Sequence, residues 1–154
     1  MNRIAFRSVV FLLVASSAVW PQPAAASAGH KHAAAKASNT KKTMDDMHAL
    51  SLAVETYAID HEKYPVVKDM KALARILQPD YMKVVPLKDA WGTSFEFLVS
   101  PDLKNYRFVS AGPNRAIDPT NLIVESKPSG KNDDIIFEEG FFVQEPTGKT
   151  EKPQ

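Results

Sequence analysis

Cysteine is absent from all 154 residues, which excludes disulfides, a cysteine nucleophile and a lipid anchor on cysteine. A domain without disulfides must rest on its apolar core or on a bound ion. Catalytic signatures are also missing. The chain has no Gly-x-Ser-x-Gly elbow, no His-Glu-x-x-His run and no glycine-rich phosphate loop, so no residue is named as catalytic. Charge of one sign is lacking too, with 19 basic against 18 acidic side chains. That balance gives no electrostatic case for nucleic acid or an anionic membrane. No apolar run reaches the ~20 residues a spanning helix needs.

The longest apolar stretch, 9–20, follows Arg3 and Arg7 and precedes Pro21 and Pro23. This is the layout of a secretory signal, with small residues offering cleavage after Ala26 or Ala28. Removing 1–26 takes away two arginines and no acid, so 17 basic residues face 18 acidic ones, a net charge near −1. The mature chain is expected to be exported, to the periplasm or beyond, without a stable transmembrane span. Residues 27–42 are rich in alanine, lysine, serine and histidine and read as a flexible linker. A single domain follows at 43–143, and 144–154 reads as a disordered tail.

Thr43 is placed as an N-cap, with Asp45 and Asp46 in a first turn where the helix dipole favours acids. Met44, Met47, Leu50, Val54 and Tyr57 recur at steps of three and four, one stripe of a helix over 43–63. Leu52 and Ile59 widen that stripe. Pro65 ends the helix through its restriction on Tyr64. A shorter helix fits 69–77, capped by Asp69, with Met70, Leu73, Ile76 and Leu77 inward. Residues 93–99 alternate with Phe95, Phe97 and Val99 on one face, and 106–110 return with Tyr106 and Phe108 inward. Short strands are expected at 135–137 and 141–143. The fold class is α+β, a long and a short helix packed on a small antiparallel sheet, with a long loop before the last strands. Trp91 is expected as a core indole behind the Gly92 turn, and Asp89 as an acceptor for local amides. His48 and His61 lie thirteen positions apart on the helix, so they form no paired helical zinc site.

Several short words follow one another in a fixed order: Tyr57-Ala58-Ile59-Asp60-His61-Glu62-Lys63-Tyr64-Pro65, Leu77-Gln78-Pro79-Asp80-Tyr81, Asp89-Ala90-Trp91-Gly92, Ser110-Ala111-Gly112-Pro113-Asn114 and Asn132-Asp133-Asp134-Ile135. Their order and spacing resemble the globular domain of the major pseudopilin (protein G) of type II secretion systems, over residues 43–143. The resemblance implies a pseudopilin-like fold and partners among secretion-apparatus proteins. Pseudopilins carry a phenylalanine at the leader cleavage site and a glutamate four residues later. Here Ala5-Phe6 could stand for that site, but the later position is Val10. That departure argues against assembly through a pilin-type helix. It favours an accessory of the apparatus, over a stand-alone periplasmic binding module on the same fold or an atypical filament subunit.

In that family the loop between these strands holds one calcium ion. Residue by residue, the resemblance assigns Asn114, Asp133 and Asp134 as oxygen ligands, with carbonyls near Ser110 or Ala111. Asn114 brings one charge fewer than the family's aspartate. Arg115 and Lys131 add positive charge nearby. Read without the resemblance, the same residues are ordinary solvated loop side chains, with Asp134 capping a turn.

Overall fold

The computed structural model describes residues 24–124, 126–130 and 133–146, with side chains from residue 31 onward. The expected signal segment up to residue 23 and the tail beyond 146 lie outside the described residues.

The first element, α1, is a helix over Ala24–His61. It runs through the segment assigned above to a linker, so that assignment is corrected. Alanine and lysine are strong helix formers, and Lys41–Asp45 and Lys42–Asp46 pair at the i,i+4 spacing that supports a helix surface. Thr43 is accordingly not a cap. It lies inside the helix, fully buried, and its Oγ1 accepts from the Ala90 N–H at 3.1 Å. The helix stops at His61, where Glu62 adopts a left-handed φ of 58° ahead of Pro65.

Only the second half of α1 enters the core. Met47, Leu50 and Val54 are fully enclosed, while Met44 and Tyr57 pack at the margin. Leu52 and Ile59 face solvent, 65% and 79% exposed, which corrects the widened stripe. Both fall on the helix side away from Leu50 and Val54, and one sheet face beneath a helix encloses one narrow stripe. The second helix, α2, spans Met70–Leu77; the Asp69 carboxylate caps it by accepting from the Ala72 N–H at 2.8 Å. Met70, Leu73, Ala74 and Leu77 are buried.

Four strands form an antiparallel meander in chain order: β1 Glu96–Val99, β2 Tyr106–Ser110, β3 Ile135–Glu138 and β4 Phe141–Gln144. Phe97, Phe108 and Phe137 stand abreast across β1, β2 and β3, and with Tyr106 and Ile135 they form the floor under both helices. The β3–β4 turn is the two-residue pair Glu139-Gly140, both at positive φ, the twist that matches a hairpin.

All five residues of β2 are buried, including those that point away from the helices. Both sheet faces are therefore covered at β2. One cover is helical; the other is the loop between β2 and β3.

Two stability consequences arise here. Trp91 packs against the core but is only partly buried. Trp91→Ala is expected to cost roughly 2 kcal/mol, below the ~3–5 kcal/mol of a fully enclosed aromatic. Urea melts of the two proteins check this.

The second concerns tyrosine. The Tyr106 hydroxyl bonds Ser51 at 2.8 Å in the core, and Tyr64 reaches Glu55 at 3.3 Å. Burial, then the Glu55 charge, pushes Tyr64 up to about 12, and burial raises Tyr106 as well. Unfolded tyrosines ionise near pH 10, so between about 10 and 12 the folded chain holds protons that the unfolded chain releases. The contribution is fully present below pH 10 and is lost as pH rises through that window. Tyrosinate absorbance should therefore lag behind free tyrosine and rise together with loss of fold. Titration of both rings at pH 10 in a folded protein would contradict this.

Candidate functional site

The loop between β2 and β3 opens with a 3-10 turn at Gly112–Asn114 and makes a second at Pro119–Leu122. Its two ends meet. Gly112 packs so closely on the Asp133 carbonyl that an added Cβ would lie 2.0 Å from that oxygen.

The three sequence-assigned ligands have different settings. Asn114 is exposed, and its Oδ1 accepts from the Ala116 N–H at 2.9 Å. Asp133 is partly buried and pairs with Lys36 of α1 at 3.3 Å. Asp134 is fully buried; its Oδ2 accepts from the Asp118 N–H at 2.9 Å and from Asn121 Nδ2 at 2.7 Å. Asp118 in turn caps the second 3-10 turn through Thr120. Asn121 is the hub of this end of the loop, since its Oδ1 also accepts from the Ser129 N–H at 3.1 Å. Gln144 of β4 ties in the rest, accepting from the Gly130 N–H and donating to the Asp134 carbonyl.

As a donor set for a hard cation the three side chains are oxygen only, which suits calcium. They bring two carboxylates. Among the described residues, no three His, Cys, Asp or Glu side chains gather closely enough to hold a metal. Two carboxylates and one amide oxygen would hold such a cation only weakly, and loop carbonyls and water would have to complete the set.

Sequence reasoning missed Arg107. It points to the loop side of β2, is wholly inaccessible to solvent, and sits opposite Glu138 in the β2–β3 register. Its Nε donates to the Glu138 carboxylate. Its Nη1 donates to the Asn121 carbonyl at 3.0 Å, and its Nη2 to the carbonyls of Val124 and Ser126 at 3.0 and 2.7 Å. Burial raises the Glu138 carboxyl above its usual range, and the Arg107 charge partly offsets this. The available signal was the alternation itself: with Tyr106 and Phe108 inward, Arg107 had to face the loop.

Asp89 fulfils its expected role and adds another. Its Oδ1 accepts from the Trp91 and Thr93 N–H groups, and its Oδ2 from the Ser110 hydroxyl at 2.8 Å. It thereby fixes the start of the loop to the turn before β1. The helix histidines stay apart: His48 meets Phe137 edge-on, and His61 stacks on Tyr57. An apolar groove between α1 and β4 is lined by Ala33, Ala37, Met44 and Phe142. Among the described residues, no helix is long and apolar enough to cross a membrane.

No curated protein and no solved structure matched the chain. The family model for type II secretion system (T2SS), protein G, matched residues 31–122, more than half of the chain. The match starts inside α1, upstream of Thr43, and runs through α2, β1 and β2 into the second 3-10 turn. Asn114 falls within it, whereas Asp133 and Asp134 lie beyond it. With the long helix, the short helix and the four-stranded antiparallel sheet, this chain belongs to the type II secretion system protein G family of pseudopilins.

Proposed function

We propose that the chain is an exported, non-enzymatic component of type II protein secretion, acting by contact with other apparatus proteins in the cell envelope. The observation that carries this reading is the family match across both helices and the first two strands, since pseudopilins are structural subunits. The polar side chains of the loop and of the turn before β1 serve structure: Asp118, Asn121 and Asp134 in the loop and Asp89 in the turn each accept from named donors within the fold.

Two modes of action separate at the N-terminus. Val10, in place of the pilin-type glutamate, favours an accessory released by signal cleavage. The unbroken course of α1 from Ala24 favours a filament subunit, because a long helix leading into the globular part is the pseudopilin plan. The intact mass of the exported protein distinguishes them. A chain starting at Ser27 or Gly29 supports the accessory, and one starting at Phe6 supports the filament subunit.

A weak calcium site at the mouth of the loop is part of the same reading, with Asn114, Asp133 and Asp134 as the side chains that would hold the ion. Its chemistry would be electrostatic only, drawing the ends of the loop together. Calcium at a hundredfold excess over Kd should stabilise the fold by about 2.7 kcal/mol, with magnesium a poor substitute. Asp133→Asn is the informative variant, because Asp134 is already an acceptor for the loop's own donors. Identical melting curves in EDTA and millimolar calcium would remove calcium from the account.

A further inference from the structure

We propose that Arg107 is a built-in cationic clasp of the 112–134 loop, so that the loop folds over the sheet without any metal ion. The proposal does not depend on the calcium site, which it meets only at Asp134 through Asn121.

A loop laid on a sheet face carries carbonyls that lose water and need donors. A hard cation is one way to satisfy several at once. A guanidinium is another, with five N–H donors in a fixed planar fork and a charge that persists at every physiological pH. Arg107 uses four of those five donors. Three of its nitrogens serve four acceptors, of which three are main-chain carbonyls within a six-residue stretch, Asn121, Val124 and Ser126.

The charge is balanced locally. Buried guanidinium is tolerated when paired and hydrogen-bonded, and Glu138 lies directly across the strand pair. The three carbonyl dipoles add negative ends without adding net charge. The clasp also reaches the loop's acids through one residue. Asn121 gives its carbonyl to Arg107 and its side-chain amide to Asp134 and Ser129. Anchoring Asn121 therefore positions Asp134 at the entry to β3. On the stretch that Arg107 holds, Leu122 and Ile123 turn outward, 39% and 58% exposed. Apolar packing onto the sheet is thus incomplete there, and the polar clasp carries more of the attachment.

The test is amide hydrogen exchange of the full exported chain in EDTA and in calcium. The reporters are the N–H groups of Asn121, Ser126 and Ser129, each bonded within the loop. In the wild type these amides should remain protected in EDTA. In Arg107→Gln, which keeps length and polarity but loses charge and fork, they should exchange about tenfold faster or more, because charge-assisted bonds are the strong ones. Amides of the β1–β2 pairing serve as the internal reference for folding. Arg107→Lys should fall with the glutamine variant, since one ammonium cannot span three carbonyls.

Two results would overturn the proposal. One is wild-type protection that vanishes in EDTA and returns only with calcium. The other is a folded Arg107→Gln protein whose loop amides exchange as slowly as those of the wild type. If both variants fail to fold, the wild-type comparison in EDTA and calcium still decides.

Discussion

Gly112→Ala is expected to cost about 3 kcal/mol or more, and to release the loop before the rest of the domain melts. Two effects combine at this position. The backbone sits at φ +62°, the left-handed region, where a Cβ costs roughly 1–2 kcal/mol. The added carbon would also lie 2.0 Å from the Asp133 carbonyl oxygen. That neighbour is backbone at the far end of the same loop, so relief requires the ends to part. Parting them strains the Asp134 bonds to Asp118 and Asn121 as well. Gly140→Ala separates strain from contact. It too has positive φ, but no neighbour stands within 4 Å of the added carbon. Its cost should stay near 1 kcal/mol. Equal losses for the two variants in thermal melts would show that conformation alone matters and that the ends are not packed together.

Phe108→Ala is the second large effect. Phe108 is fully buried at the centre of the sheet, paired with Phe97 on one side and Phe137 on the other. Its ring lies 4.7 Å from Phe97 and 5.8 Å from Tyr106. Truncation leaves a cavity that no flexible chain end can fill, so a loss of roughly 3–5 kcal/mol follows. For a domain near a hundred residues each kcal/mol moves Tm by about 4–8 °C, so the melt should fall by more than about 10 °C. Phe141 provides the contrast, since it is 57% exposed on the edge strand. Phe141→Ala should change Tm by only a few degrees. A Phe108 variant that melts with the wild type would mean the sheet centre is not the core.

The elements that periodicity specifies were legible in the chain. The stripe from Met47 to Val54, the Asp69 cap, the alternation around Phe97 and Phe108 and the last two strands occupy the expected places. Those signals are local, and a core records them directly. Thr43 and the 27–42 segment were misread because a capping residue and a polar composition look alike in a linker and in a projecting helix. Alanine and lysine favour the helix, but nothing local distinguishes a helix that touches little. Leu52 and Ile59 were misread for the opposite reason. Their apolar character suggests burial, yet placement on the outer side of α1 is fixed by the single sheet face below.

The loop was the least legible part. Its acids were visible, and the resemblance supplied a calcium role for them. What holds its middle is a long-range arrangement: Arg107 reaches carbonyls fourteen to nineteen residues away. Main-chain acceptors leave no trace in the side-chain sequence. Only the register of β2 against β3 brings Glu138 opposite Arg107 and makes a buried guanidinium tolerable there.

The central claim, a part in type II secretion through protein contacts in the envelope, is tested most directly by deleting the gene in its own host and measuring type II substrates in the medium. The account predicts that these substrates accumulate inside the envelope and fall in the medium, and that the full-length gene restores their release. Unchanged release from the deleted strain, with the other pseudopilins at normal levels, would contradict it and leave a stand-alone module on a pseudopilin fold.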